Sequence, residues 1–230
     1  MQTSEILFPL ATESSNSNLN HRLPCGTKLR LPRGFHMRDT IKRIFDLGAS
    51  VTAVLVLSPV MLLIAFAIVC NSGGEVFFRQ RREGHLGRHF DIIKYRSMRP
   101  SLPSDPQSTA VDDPRITKVG AFLRRASLDE LPQLFNVIKG DMSLVGPRPL
   151  LPGTTRQDEM VRLKMRPGIT GLAAVRGRQL LTWDERMALD CWYVENWTFS
   201  LDIYILWRTI QVVLSQEGVY DSSGVVNARS

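Results

Sequence analysis

The sequence predicts a helix-rich, mixed α/β protein that forms a single compact domain and is attached to a membrane through one apolar segment. The first observation is a run of 24 residues without charge, from Leu47 to Cys70. The second is a pair of strand-like stretches on either side of the turn "GHLG". The third is a set of stretches whose apolar residues recur at helical spacing. These patterns predict a membrane helix, a small β-hairpin and several amphipathic helices.

Length and composition limit the class of protein. At 230 residues and 26.0 kDa, the chain is long enough to bury one core. The formal net charge of +7 favours an anionic partner, which could be nucleic acid, a phosphorylated substrate or a lipid surface. The three cysteines are far apart, which fits a reducing compartment better than a disulfide framework. The sequence has no P-loop lysine motif, no G-x-G-x-x-G and no H-E-x-x-H, which argues against those chemistries.

Composition divides the chain into four segments. Residues 1–37 are rich in Ser, Asn, Thr and Pro and are predicted to form a disordered N-terminal tail. Residues 38–71 are the predicted membrane segment. Residues 72–215 are predicted to form a cytoplasmic domain on the membrane face, and residues 216–230 a C-terminal tail.

The membrane segment has basic residues at both ends. As a helix, its uncharged part would reach roughly 36 Å, against a hydrocarbon core of about 30 Å. If both basic ends stay in the cytoplasm, the segment must turn back within the bilayer. Pro59 lacks a backbone donor, and the Ser58 hydroxyl can bond the carbonyl that this proline frees, so the pair suits a re-entrant helix break. An ordinary kinked transmembrane helix is the alternative, and the charges and the proline leave both open.

The remaining pattern predicts the β-hairpin and the amphipathic helices. The stretches "EVFFRQRREG" and "RHFDIIKYRSM" form the hairpin, with Lys94 and Arg96 at alternate positions on one face. Residues 116–125 have helical spacing that suits either a lipid interface or packing on a soluble core. Residues 198–215 are apolar but interrupted by Asp202 and Arg208, so they are predicted to lie in the membrane interface rather than to span it.

Two adjacent carboxylates stand out in "SLDELPQLFNVIKG", residues 127–140. The apolar spacing predicts a short helix that ends at Gly140, with Asp129 as its N-cap and Glu130 in its first turn. Capping and solvation would be ordinary roles for these acids. The nearby motif "GPRP", however, holds Arg148 between two prolines, and a rigid arginine suits phosphate recognition. One carboxylate could then attack a phosphoryl group while the other holds Mg²⁺.

Residues 40–215 closely resemble the small monotopic phosphoglycosyl transferases, which are bacterial sugar transferases. The motifs that carry the resemblance are, in order, "KRIFDLGASVTAVLVLSPVMLLIA", "FFRQRREGHLGRHFDIIKYRSM", "DDPRITKVGAFLRRASLDELPQLFNVIKGDMSLVGPRPLLP" and "RPGITGLAAVRGR". The resemblance implies transfer of a hexose 1-phosphate from a UDP-sugar to undecaprenyl phosphate, with release of UMP. It places this reaction at the cytoplasmic face of the bacterial inner membrane, as the start of exopolysaccharide or related glycoconjugate assembly.

The resemblance also implies roles for particular residues. Asp129 matches the nucleophile that carries the phospho-sugar, and Glu130 matches the Mg²⁺ ligand. The residues that match phosphate-binding positions are Lys94, Arg124 and Arg148. The re-entrant helix break is implied at Ser58 and Pro59. A ping-pong cycle is implied, and downstream glycosyltransferases are possible partners.

The resemblance leaves some questions open. Residues 1–37 have no counterpart in the family, and Glu75 stands where proline is more usual. The identity of the sugar is not read from the sequence. A catalytically idle membrane scaffold for polysaccharide enzymes is the main alternative function. A nucleic-acid binder would also use the positive charge, but no nucleic-acid motif is present, and no such partner is expected.

Overall fold

A computed structural model describes residues 35–72, 74–99, 113–177 and 180–215. The predicted tails lie outside the described residues, except that residues 35–37 belong to the first helix. Most of the linker between the hairpin and the next helix, residues 100–112, is also outside them. The described part is mixed α/β and rich in helix, as predicted.

The first helix, α1, runs from Phe35 to Ser72 and contains Pro59. The Ser58 hydroxyl donates a hydrogen bond of 2.8 Å to the carbonyl of Leu55. This carbonyl lies four residues before Pro59, so the proline cannot bond it. The predicted local compensation is therefore confirmed. The stretch Asp39–Asn71 is long and apolar enough to cross a membrane by length and composition.

Both ends of α1 pack against the rest of the described protein. Near the N-terminal end, Asp46 accepts a 2.7 Å hydrogen bond from the Ser143 hydroxyl. Near the other end, Met61, Ile64 and Ile68 are buried in a cluster with two residues of the globular part, Tyr95 and Leu123. Between these two contacts, helix residues 51–60 are exposed or only partly buried by the described residues. The middle of α1 therefore presents an apolar surface that these residues do not cover.

The predicted β-hairpin is confirmed. Strand β1, Phe77–Glu83, pairs antiparallel with β2, His89–Tyr95, and Phe78 lies opposite Lys94 in the register. The turn between the strands places Gly87 at φ 74°, a left-handed conformation that glycine adopts without strain.

Three helices begin or end at capping residues. Helix α2, Lys118–Arg125, is capped by Thr117, whose hydroxyl accepts from the Gly120 amide. Helix α3, Gln133–Lys139, ends at Gly140, which has a φ of 99°. The stretch "TWDERMALDCWYVEN" begins with Thr182 and Glu185 at the spacing of a capping box, which predicts a helix start, and this capping box opens helix α5, Trp183–Glu195.

A second, parallel pair of strands was not predicted. Strand β3, Ser143–Val145, pairs with β4, Gly168–Thr170, and each strand is only three residues long. A Cβ at Gly146 would lie 2.3 Å from the Arg166 carbonyl oxygen, so this close approach requires glycine. Helix α4, Leu172–Arg176, follows β4, and helix α6, Phe199–Ser215, ends the described chain. One core cluster joins β3 to three of these helices and includes Val145, Leu172, Tyr193 and Ile205.

Helix α6 presents different chemistry on its two sides. Asp202, which interrupts the apolar pattern in the sequence, is buried and accepts hydrogen bonds from the Tyr193 hydroxyl at 2.6 Å and from the Trp197 indole at 3.0 Å. Its carboxylate also forms a 2.5 Å ion pair with Lys42 of α1. The exposed apolar side chains of α6 include Ile203, Trp207, Ile210 and Leu214, which share one helix face.

Replacing Lys42 with methionine is expected to destabilise the protein by about 3–5 kcal/mol, because it leaves a buried carboxylate without its charge partner. The side chains of Lys42 and Asp202 are only 5% and 3% exposed. Denaturant unfolding in detergent measures the effect. The control is Lys139→Met, which removes an exposed lysine from its pair with the partly buried Asp141 and should cost less than about 1 kcal/mol. Equal stability of the two variants would contradict the expectation.

Candidate active site

The two adjacent acids lie in a single turn of 3-10 helix, Leu128–Glu130, between α2 and α3. The prediction that Asp129 caps the following helix is wrong, since α3 begins at Gln133 and Pro132 occupies the N-cap position. Pro132 alone does not explain this, because the first turn of a helix capped by Asp129 would need no N–H from it; the difference lies in the bonds that the neighbouring residues make. The chain instead forms tighter turns, such as the 3.3 Å bond from the Leu131 amide to the Leu128 carbonyl.

The two carboxylates have different surroundings. Glu130 forms a 2.6 Å ion pair with Lys94 of β2, and the Arg148 guanidinium lies 4.0 Å from the same carboxylate oxygen. Asp129 forms no ion pair among the described residues. Burial raises the pKa of Asp129; the charges of Lys94 and Arg124 lower it, while that of Glu130 adds to the rise. Asp129 is therefore a partly desolvated carboxylate beside a charge-compensated one.

The predicted cations come together from three separate elements. Lys94 lies in β2, Arg124 in the last turn of α2, and Arg148 in the loop after β3. The Arg124 guanidinium donates a 2.9 Å hydrogen bond to the Ser97 hydroxyl, which fixes it near the acid pair. Ser58 and Pro59 are not in this cluster; they lie in α1.

Sequence reasoning missed Arg82, Gln133 and Arg186 as members of this region. Arg82 and Gln133 line the same cleft as Lys94 and Glu130. The hairpin pattern held a signal for Arg82, because strand alternation and the pairing of Phe78 with Lys94 place Arg82 on the Lys94 face. Arg186 comes from α5, which is distant in sequence, and no local pattern indicates it.

The arginines repel one another. Burial lowers the pKa of Arg82, and the nearby charge of Arg148 lowers it further. Burial and the charge of Arg148 also lower the pKa of Arg186. Crowding of like charges costs free energy, and a bound anion would offset that cost. The charges around the cleft therefore favour binding of a multiply charged anion. Its lining consists of Arg82, Ile92, Lys94, Glu130, Gln133, Arg148, Pro149, Gly168 and Ile169.

Comparison with known proteins identifies the family. The family model for bacterial sugar transferases matches residues 37–216. The exopolysaccharide production protein ExoY of Rhizobium meliloti is 39% identical over 203 residues, covering 78% of this chain and 88% of ExoY. The undecaprenyl-phosphate galactose phosphotransferase of Salmonella typhimurium is 41% identical, covering 84% of this chain and 44% of that protein. A UDP-glucose:undecaprenyl-phosphate glucose-1-phosphate transferase of Xanthomonas campestris is 42% identical, covering 78% and 40%.

This chain belongs to the bacterial sugar transferase family, which confirms the resemblance carried by its motifs. The names of the Salmonella and Xanthomonas relatives describe enzymes that transfer a sugar phosphate to undecaprenyl phosphate. The chain spans most of ExoY but less than half of the Salmonella and Xanthomonas relatives. The long apolar helix fits association with a membrane.

Proposed function

We propose that this protein transfers a hexose 1-phosphate from a UDP-sugar to undecaprenyl phosphate and so starts assembly of an exopolysaccharide or related glycoconjugate. The observation that carries the proposal is the arrangement of Asp129 beside the Lys94–Glu130 ion pair, near a cleft lined by arginines. The names of the Salmonella and Xanthomonas relatives supply the substrate class. The crowded guanidinium groups suit the diphosphate of such a donor.

In the first step, an Asp129 carboxylate oxygen attacks the phosphorus that bears the sugar. The bond between that phosphorus and the oxygen bridging to UMP breaks, and UMP leaves with the electron pair. The product is an acyl phosphate that joins the sugar phosphate to Asp129. Arg148 and Lys94 both lie within 4.0 Å of the Glu130 carboxylate, and their charges would stabilise the phosphate oxygens.

In the second step, a phosphate oxygen of undecaprenyl phosphate attacks the same phosphorus, and the Asp129 carboxylate leaves. The acceptor is already an anion, so no proton has to be removed from it. A catalytic histidine is therefore not needed. The product is undecaprenyl diphosphate carrying the hexose, and Asp129 is regenerated for the next cycle.

Glu130 is the residue that would hold Mg²⁺. Among the described residues, no group of three or more His, Cys, Asp or Glu side chains is arranged to hold a metal ion. Mg²⁺ is often bound by only one or two carboxylates together with substrate phosphates and water, so a single glutamate beside a diphosphate fits this ion. When bound, Mg²⁺ would neutralise phosphate charge that otherwise repels Asp129.

The proposal places both ends of α1 on the cytoplasmic face of the inner membrane, with a re-entrant break at Ser58 and Pro59. Support comes from the contacts of the helix. Lys42 is paired with Asp202 at one end, and Met61 packs with Leu123 near the other. A straight span would separate these ends by the thickness of the bilayer. The exposed apolar face of α6 is proposed to lie in the membrane interface.

Cysteine labelling tests this topology. Starting from a variant without the natural cysteines, Ile41→Cys and Glu75→Cys introduce thiols at exposed positions on either side of the apolar stretch. In intact cells, neither should react with an impermeant maleimide, and both should react after permeabilisation. A third variant, Arg208→Cys, marks the globular domain. Labelling of either end of α1 in intact cells, under conditions in which cytoplasmic proteins stay unlabelled, would contradict the re-entrant arrangement.

UMP release tests the reaction itself. Protein purified in detergent is incubated with Mg²⁺, undecaprenyl phosphate and each of a panel of UDP-hexoses and UDP-N-acetylhexosamines. At least one donor is expected to yield UMP together with a lipid-linked sugar diphosphate. If folded protein with a verified acceptor gave neither product from any donor, the idle scaffold would become the better description.

A further inference from the structure

The main chain of Arg148 is held from two sides by a buried ion pair. Its amide donates a 3.1 Å hydrogen bond to Asp190 in α5. Its carbonyl accepts a 2.5 Å hydrogen bond from Arg162, which lies in the 3-10 segment Gln157–Lys164. Arg162 also donates to Asp190 at 2.7 Å through the same terminal nitrogen, so the three residues form a closed frame. Both polar groups of the Arg148 peptide backbone are therefore fixed by side chains from other elements.

The two side chains that hold the Arg148 backbone are far more buried than the Arg148 side chain itself. The side chains of Arg162 and Asp190 are each 2% exposed, whereas that of Arg148 is 55% exposed. A buried ion pair is a weak source of stability, because desolvation of the two charges offsets their attraction. Its effect here is geometric. It fixes the backbone from which an otherwise mobile guanidinium reaches toward Glu130, 4.0 Å away.

The hairpin holds the same loop from the other side. Arg82 donates to the Pro149 carbonyl at 3.4 Å, and the Glu83 amide donates to the Leu150 carbonyl at 2.9 Å. The flanking prolines further restrict the backbone of Arg148. Because a misplacement of about 1 Å in a positioning group can cost roughly 100-fold in rate, this fixation matters for transfer.

We propose that Arg162 and Asp190 are positioning residues, which set the Arg148 guanidinium toward the phosphates of the sugar donor. This inference rests on the proposed function. Neither residue lies within the "GPRP" motif, and neither touches the acid pair among the described contacts. Their effect on transfer therefore passes through Arg148.

The test is a double-mutant cycle with UMP release as the measurement. Asp190→Ala is expected to lower kcat/KM for the UDP-sugar by about 100-fold in the wild-type background. Asp190→Asn keeps an oxygen that can accept from the Arg148 amide, so it should retain most of the activity that the alanine variant loses. In an Arg148→Ala background, adding Asp190→Ala should change kcat/KM by less than about threefold, because residues that act as a unit are not additive. Losses that multiply in the double variant would overturn the inference.

Stability is controlled with another buried ion pair. Lys42→Met breaks the Lys42–Asp202 pair, which is buried to a similar degree but does not touch the Arg148 loop. It should lower the thermal midpoint and leave kcat/KM within about threefold of wild type at temperatures where the protein stays folded. If Asp190→Ala does not fold, Arg162→Lys and Arg162→Met replace it in the same cycle. Absence of UMP release from wild type would refute the proposed function. If wild type is active but the losses in kcat/KM of the two single variants multiply in the double variant, only the positioning role is refuted.

Discussion

Asp129→Asn is expected to reduce UMP release by about 10⁴-fold or more, because the amide cannot form the acyl phosphate. The replacement has nearly the same size and leaves the Lys94–Glu130 pair in place. Membrane association and solubility in detergent should be unchanged. The matched control is Asp158→Asn, an exposed acid outside the cleft, which should keep wild-type turnover. Turnover by Asp129→Asn at a rate near that of wild type would exclude Asp129 as the nucleophile.

The same variant should not lose stability. Burial raises the pKa of Asp129 in the folded protein, so the folded state binds its proton more tightly than the unfolded state does. The ionised carboxylate therefore lowers stability at pH values above its folded pKa, and this cost disappears as the pH falls below the unfolded pKa. Asparagine never carries the charge. The thermal midpoint of Asp129→Asn at pH 7 is expected to equal or exceed that of wild type, and a large decrease would contradict this.

Glu130→Gln is expected to lower UMP release by about 10²- to 10³-fold and to weaken its dependence on Mg²⁺. The neutral amide removes the carboxylate that would bind the ion, and it also leaves Lys94 without its ion-pair partner at 2.6 Å. The measurement is the initial rate across a Mg²⁺ titration. Glu195→Gln, at the exposed end of α5, is the control and should behave as wild type. An unchanged Mg²⁺ half-saturation in Glu130→Gln would remove Glu130 from the metal-binding role.

Local signals in the sequence predicted local structure well. The alternation around "GHLG" predicted the hairpin, and Thr182 and Glu185 predicted the start of α5. The glycine stop signal predicted the end of α3 at Gly140. These features depend on residues a few positions apart, where propensity and capping chemistry dominate.

The errors and omissions have different physical causes. The N-cap expected at Asp129 is not observed, because the bonds around this residue have the i→i−3 spacing of a 3-10 turn and α3 begins only at Gln133. The strands β3 and β4 are too short to show a period, so their pairing is visible only in three dimensions.

Long-range polar contacts could not be predicted from the sequence either. Lys42 and Asp202 are 160 residues apart, and Arg162 and Asp190 are 28 apart. Such pairs leave no periodic pattern along the chain. The motif "GPRP" indicated that Arg148 is rigid, but no sequence pattern indicates the buried ion pair that holds its backbone.

The covalent mechanism is tested by UMP release without the lipid acceptor. Wild-type protein is mixed with its UDP-sugar and Mg²⁺, and UMP and the intact protein mass are measured together. A covalent phospho-sugar aspartate predicts release of about one equivalent of UMP, with a mass increase of one hexose phosphate on the peptide containing Asp129. Asp129→Asn should show neither. If protein that turns over rapidly with acceptor released no UMP and gained no mass without it, direct transfer between the two substrates would replace the covalent mechanism.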